Sequence, residues 1–328
     1  MHKLGSHIGA GRGGLRELDA IALQGYRVIP QMQDSRNHGA ADVSVSADGS
    51  FDRQRPPARL HVLLARGSPQ ALVIRRGPSR HVAVIAWNRA IDQFTLGQWL
   101  RGRIYERRCD LSPDGRHWVY FAMHGRCDGP AHATWTAIAR APYLKAETLM
   151  RWVGTYHGGG LFTSDDEVWV NQRYGYDLLK DSSHIKRMGK CSPQEYSDTS
   201  CLRVYYPRLQ RDGWTMVSRV KHRMEHELTI FERRIDQRWT LRKLAYATSA
   251  MHLVGRGCYF DEHELRSERD GSVTRCPGWE WADLDGLRLV WAQAGCLYST
   301  YMQPDGPGPV KLLFDFNPMA FEAIEAPY

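Results

Sequence analysis

From residue 60 onward the chain alternates short apolar runs with tight polar breaks. Residues 60–65, 71–74, 81–87 and 94–100 are rich in Val, Ile, Leu and aromatic side chains, and Gly67-Ser68-Pro69, Gly77-Pro78 and Asn88-Arg89 separate them. Runs of four to seven such residues bounded by turn formers predict β-strands, here one four-stranded meander. Residues 1–58 have a different texture, with a helix-like stretch over 15–23 and otherwise scattered apolar positions among polar turn formers. Too little apolar surface is present there to offset the entropy of ordering the chain. A disordered N-terminal arm over 1–58 and a folded domain over 59–328 are therefore expected.

Further along, a strand–turn–strand unit recurs. Its first copy runs from Asp110 to Ala122 around Asp114-Gly115, and its second from Gly160 to Val170 around Asp165-Asp166. A third spans Tyr206 to Val217 around Asp212-Gly213, and a fourth Trp281 to Ala292 around Asp285-Gly286. Asp-Gly supplies the positive φ that a tight hairpin needs. The apolar strand after each turn contains a Trp: Trp118, Trp169, Trp214 and Trp291. The first three turns lie 51 and 47 residues apart and the next gap is 73, which leaves room for a degenerate unit around residues 257–271. A period of 40–50 residues with about four strands per unit is the spacing of a propeller blade. The fold expected is all-β, a β-propeller of about six four-stranded blades, with five as the alternative count.

The string Asp110-Leu-Ser-Pro-Asp-Gly-Arg-His-Trp-Val-Tyr-Phe-Ala122 resembles the Ser-Pro-Asp-Gly repeat of bacterial TolB-like, WD-related β-propellers, as does the segment 281–298, where Gly295-Cys296-Leu297-Tyr298 supplies the following strand. The other copies depart from it: Asp166 stands where Gly is usual, and Pro precedes the turn Asp in the first copy alone. The resemblance implies a fold and a habit of binding partners, and no particular reaction.

Charge adds a second pattern. The net charge of +8 is divided unevenly: residues 59–108 hold ten Arg against two acids, and residues 259–328 hold five basic against twelve acidic side chains. In a closed propeller these segments would be neighbouring blades of opposite sign. The basic stretch also raises a nucleic-acid surface through Arg75, Arg76, Arg101 and Arg103, since phosphate neutralisation releases counterions. Seven cysteines without a CxxC pair argue against a structural zinc site and fit a reducing cytoplasm. A Cys191–Cys201 disulfide is the alternative for an exported chain. No apolar run reaches the ~20 residues of a membrane span, and no signal-peptide layout opens the chain.

Candidate chemistry is thin. Gly9, Gly11 and Gly14 spell GxGxxG without the preceding strand that a dinucleotide site requires. His222, Glu225 and His226 spell HxxEH, a zinc-protease spacing that works only on a helix. On one strand the two His would lie ~13 Å apart, too far to share a metal. His117, His124 and His132 with Asp110 and Asp128 cluster in the second blade, and His117, His124 and Asp128 are the catalytic candidates of a funnel enzyme. No GxSxG elbow supports an acyl-enzyme hydrolase. Trp152, Tyr156 and His157, ahead of Gly158-Gly159-Gly160, read either as a tight inter-blade connection or as a ligand loop. The recurring Trp residues read as packing between blades. The tail, with Phe314, Phe316 and Phe321, reads as tied down, either as a closing strand or as a lid. The function expected is a non-enzymatic, cofactor-free scaffold that binds a protein partner and no membrane. A hydrolase or lyase in the funnel and a nucleic-acid-binding propeller are the alternatives.

Overall fold

Neighbouring strands pair locally, because most are joined by turns too short to reach anywhere else. The computed structural model describes residues 56–77, 80–125, 131, 133–172, 175–188, 201–222, 226–248 and 257–328, with the backbone alone for His222, His226 and Thr248. The chain divides into two units, Met1–Gln54 and Arg55–Tyr328. The first, with the GxGxxG string and residues 1–55 of the expected arm, lies outside the described residues, whereas Ala58 is buried and its N–H donates to Asn317 Oδ1 at 2.9 Å.

Strands β1 (Arg59–Leu64), β2 (Gln70–Arg76), β3 (His81–Asn88) and β4 (Gln93–Arg101) form the expected antiparallel meander in chain order. A second sheet is built from β5 (Arg103–Ile104), β6 (Asp110–Leu111), β7 (His117–Met123), β8 (Thr134–Arg140) and β9 (Ala146–Trp152). The hairpin of β10 (Gly160–Phe162) and β11 (Glu167–Val170) begins a third. The chain then returns β12 (Asp177–Lys180) to the edge of the second sheet against β9, and lays β13 (Lys186–Met188) parallel to β11. After helix α1 (Leu202–Arg211) comes a fourth sheet, β14 (Thr215–His222), β15 (His226–Arg234), β16 (Trp239–Thr248), β17 (Tyr259–Ser267) and β18 (Val273–Arg275). The fifth holds β19 (Trp279–Asp285), β20 (Arg288–Gln293), β21 (Cys296–Gln303), β22 (Gly306–Pro307) and β23 (Lys311–Asp315). The architecture is all-β, with one α-helix among the described residues.

Core packing explains why the runs in β2 and β3 are continuously apolar. A strand covered on both faces needs no polar side. Leu72, Ile74, Val82 and Val84 pack on Trp118, Tyr120 and Ala137 of the second sheet. Their alternate neighbours Val73, Ala83 and Ile85 pack on Trp281, Val290 and Leu297 of the fifth. The second sheet turns Val119, Phe121 and Ile138 to Phe162 and Val168 of the third. Helix α1 bridges the third and fourth: Val204 meets Leu161 and Trp169, while Tyr205, Tyr206 and Leu209 join Phe231 and Leu241. The fourth shares that cluster with Ala282, Leu284 and Trp291 of the fifth. Trp118, Trp169, Trp214 and Trp291 are all buried, as their recurrence in the repeat implies.

Two expectations change. The third copy is not a hairpin. Leu202, Tyr205, Tyr206 and Leu209 recur at i, i+3, i+4 and i+7, a helical period that the strand reading of residues 206–211 overlooked. Asp212-Gly213 is consequently the exit from α1 into β14 and no strand-to-strand turn. There are five sheets among the described residues, of three to six strands each, where turn spacing gave about six four-stranded units or, as the alternative, five. Residues 259–275 make no unit of their own, since β17 pairs along β16 and takes β18 with it.

The other turns behave as read, and they touch tip to tip. Ser68 Oγ donates to Asp114 O at 2.8 Å, and the Asp114 N–H donates to the Asp165 carboxylate at 2.8 Å. Opposite charges join the first and last sheets through Arg89–Asp285, Arg288–Asp92 at 2.8 Å and Lys311–Asp92 at 3.0 Å. The tail first adds β23 to β21, then crosses the first sheet as a strap. Phe316 is fully buried against Phe94, and Gln98 Nε2 donates to Ile324 O at 2.7 Å.

Candidate functional site

The sequence-derived candidates scatter. Arg75 is buried and donates to the carbonyls of Phe316, Gly77, Asn317 and Met319, so it anchors the tail and offers nothing to a phosphate. Arg76 pairs with Glu106 at 3.2 Å. Arg101 and Arg103 are exposed, with Arg103 over the Tyr105 ring at 4.5 Å. A continuous basic face through all four is therefore absent, because two of them serve the fold. Trp152 is buried and donates to Thr136 Oγ1 at 2.8 Å, and only Tyr156 of its group is fully exposed. Side chains at Gly158 and Gly159 would strike Phe121 at 2.2 Å and Arg108 O at 2.1 Å, which makes the glycine run a close-packed connection.

His117 opens β7 and His124 follows its end, so seven extended residues hold them ~23 Å apart. They do not converge. Asp128 and His132 lie outside the described residues. His117 instead approaches Glu147, with Nε2 3.3 Å from Oε2, while His124 packs its ring 4.9 Å from Trp135. In the HxxEH string Glu225 is outside the described residues. His222 and His226 are directly paired across the β14–β15 ladder, so each lies on a strand and not on a helix. Directly paired residues have Cα atoms about 5 Å apart. This corrects the ~13 Å separation expected along a single strand. Cys109, Cys201 and Cys276 are buried free thiols, and Cys258 and Cys296 are half-buried ones. Cys127 and Cys191 fall outside the described residues.

What converges is a set of charged side chains around α1. Arg208 Nη1 donates to Glu106 O at 3.1 Å and also to Cys109 O. Arg211 grips Asp110 with two bonds of 2.6 and 2.8 Å. Arg107 pairs with Asp261 at 2.6 Å, and the Tyr205 hydroxyl donates to the same carboxylate at 2.5 Å. Burial pushes the Asp261 carboxyl up, but the Arg107 and Lys243 charges outweigh it and hold it below the usual range. His61 Nε2 lies 3.0 Å from Arg208 Nη2. A guanidinium only donates, so this nitrogen accepts and the imidazole is neutral. Burial and the Arg208 charge keep it so, well below its ordinary pKa.

His61 borders two cavities. The larger, about 460 Å³, is walled by six cations (Arg66, Arg89, Arg208, Arg211, Arg233 and Lys243) against Asp110, Asp212 and Asp283. Arg211 is committed to Asp110, Arg233 to Asp283 and Arg89 to Asp285. Arg66, Arg208 and Lys243 have no carboxylate partner among the described residues. Arg66 donates to Phe162 O at 3.2 Å, and Lys243 donates to Ala282 O at 3.2 Å and lies 4.6 Å over Trp214. Lys243 is 1% exposed, and burial lowers its pKa against the pull of Asp261 and Asp283. The sequence reading missed Arg208 and Arg211 along with their helix. Lys243 did leave a signal, since it shares a strand face with Leu241 and Ala245, where an apolar residue is the rule.

The second cavity, about 420 Å³, lies between β1, β17 and the segment 275–280. Two buried nitrogens in its wall, Arg107 Nη1 and His263 Nε2, have no hydrogen-bond partner among the described residues. His263 Nδ1 faces Trp279 O at 3.0 Å and so carries the proton, and burial drops this imidazole to about 3. Glu280, which accepts the Leu60 N–H at 3.0 Å, is pushed by burial to about 7. The folded chain therefore holds this proton between the unfolded value near 4.5 and pH 7, and stability falls as pH rises through that window. Glu280→Gln removes the titration. Its stability gain over the wild type should be near zero below pH 4.5 and about 1–2 kcal/mol above pH 7, after allowance for solvent reaching the carboxylate. Urea unfolding at pH 4.5 and 8 measures it, and an equal difference at both would contradict the assignment.

No helix among the described residues is long and apolar enough to cross a membrane. Compared with known families and with curated proteins, the chain matches no family model and no curated sequence.

Proposed function

We propose that this chain is a non-enzymatic binding module of the β-propeller type, with its five sheets as blades, and that the larger of the two cavities beside His61 takes a small anionic molecule such as a phosphate. The propeller reading is supported by the cyclic order of shared cores, in which the first sheet packs on the second, the second on the third, the fourth on the fifth and the fifth on the first, with α1 bridging the third and fourth. Tip-to-tip turns support it too. The observation that carries the ligand class is the trio Arg66, Arg208 and Lys243, three cations in one wall whose acceptors are neutral. An unpaired charge held away from water is costly, and an anion in the cavity would offset that cost for the buried Arg208 and Lys243, while the exposed Arg66 would add a charge-assisted contact at the rim. A volume of this order suits a small molecule.

Titration calorimetry of the full chain with inorganic phosphate, citrate and a nucleoside diphosphate tests this. Arg66→Ala, at an exposed residue, should weaken binding about tenfold, the loss of one charge-assisted contact. Lys243→Met should weaken it at least as much while leaving the fold as stable or up to about 2 kcal/mol more so, since a buried lysine is replaced by an apolar isostere. Absence of binding by all three anions would overturn the small-molecule reading. It would return the site to the protein partner expected from the repeat, whose acidic side chain could meet the same cations. The five free thiols among the described residues support a reducing, cytoplasmic setting.

A second reading, a hydrolase or lyase in the funnel, is favoured by Glu280 alone. A carboxyl that exchanges its proton near neutrality, in a cavity with the bare Nε2 of His263, is equipped for general acid–base work. The nucleic-acid reading is weaker, because Arg75 and Arg76 are committed within the protein.

A further inference from the structure

We propose that His117, Glu147 and His184 form a binding site for a divalent transition-metal ion, with zinc the best match. The site is separate from both cavities described above. One ligand atom from each residue lies within 4.8 Å of the others. Glu147 Oε2 is 3.3 Å from His117 Nε2 and 3.7 Å from His184 Nε2. Ligands about 2.0–2.1 Å from a tetrahedral zinc are separated by about 3.4 Å, which the two spacings to Glu147 match, and the two imidazoles come within 4.8 Å of each other.

Three further observations distinguish this set from a chance cluster. Glu147 is the extra residue of a β-bulge: Ile138 pairs with Thr148 and Ala139 with Ala146, which leaves Glu147 unopposed in the β8–β9 ladder. Bulges re-aim side chains and are common at functional sites. The carboxylate is also held in place, since Arg140 Nε donates to Oε1 at 2.7 Å. Its other oxygen, Oε2, is buried and accepts no hydrogen bond from the described residues, and the residue as a whole is 8% exposed. A plain histidine–carboxylate hydrogen bond would have satisfied that oxygen. An ion bound by both imidazoles and Oε2 satisfies it instead. Two imidazoles and a carboxylate are a donor set for zinc and its neighbours and not for calcium or magnesium, which take oxygen ligands. His117, His184, Asp114 and Tyr328 also line an open cavity of about 740 Å³, so a fourth position would be accessible to water or a small ligand.

The full chain, stripped with a chelator and then dialysed against zinc, should retain one ion that is lost from His184→Ala. His184 is exposed, so this variant leaves the fold intact. Loss of one of three ligands should weaken zinc binding by more than about tenfold, at least the effect of removing a group that only orients a ligand. Cobalt in place of zinc should give the intense visible bands of a four-coordinate ion, and these should vanish in both His184→Ala and Glu147→Gln. The double variant His222→Ala, His226→Ala should keep the ion. Zinc uptake unchanged by His184→Ala, uptake lost with the His222/His226 pair, or no uptake by the wild type would each overturn the proposal.

Discussion

Asp110→Ala should be among the most damaging single substitutions in this protein. The Asp110 carboxylate is 2% exposed and takes three hydrogen bonds from two other elements: the fork of Arg211 on α1, at 2.6 and 2.8 Å, and the Phe162 N–H of β10 at 2.7 Å. It therefore ties the second sheet, the third sheet and the helix to one point. Removing it leaves a largely buried guanidinium with Asp212 and the Phe162 carbonyl as its only partners among the described residues. Breaking one side of a buried pair costs about 3–5 kcal/mol. In a domain of this size that lowers Tm by roughly 10 °C. Arg211→Met made in the Asp110→Ala background removes the stranded charge and should recover part of the loss. Thermal unfolding of the two single variants and the double variant measures the coupling, and strictly additive effects would contradict this account.

The second large effect is expected from Trp118→Ala. Trp118 is fully buried, stacks on Tyr120 at 4.4 Å and donates from Nε1 to Tyr143 O at 2.8 Å. It fills the space between the first and second sheets. Truncating such a ring costs about 3–5 kcal/mol in transfer and cavity terms, and the freed Tyr143 carbonyl adds to this. Tyr156→Ala is the natural comparison. That side chain is 78% exposed, and its loss should change stability by about 0.5 kcal/mol or less. If urea unfolding ranked the two variants equally, the recurring tryptophans would not be the packing residues between sheets.

Much of the local structure is legible in the residues. The meander over residues 59–101, the hairpins at Asp114, Asp165 and Asp285, and the burial of Trp118, Trp169 and Trp291 follow from alternation, turn chemistry and side-chain size. Each of these is decided within about ten residues. The helix Leu202–Arg211 was equally legible, since its apolar positions repeat at 3 and 4, but the neighbouring Asp212-Gly213 pair matched the hairpin pattern and overrode them. Glu280 and His61 left little trace. Each is one polar residue in a strand, and only the neighbours brought by folding make it unusual.

By itself, then, the sequence determined the strand-rich character of this protein, the places where the chain turns, and the opposite charges of its first and last segments. Those features rest on backbone preference and on the sum of charges, which need no distant partner. Only the tertiary structure decided which arginines are consumed by the fold and which remain without a carboxylate. Arg75 reaches a carbonyl 241 positions away, and Arg208 meets His61 across 147. Glu147, His117 and His184 likewise become a set only where a bulge turns one strand toward another. Coulomb and hydrogen-bond energies depend on separation in space, and separation along the chain carries almost no information about it.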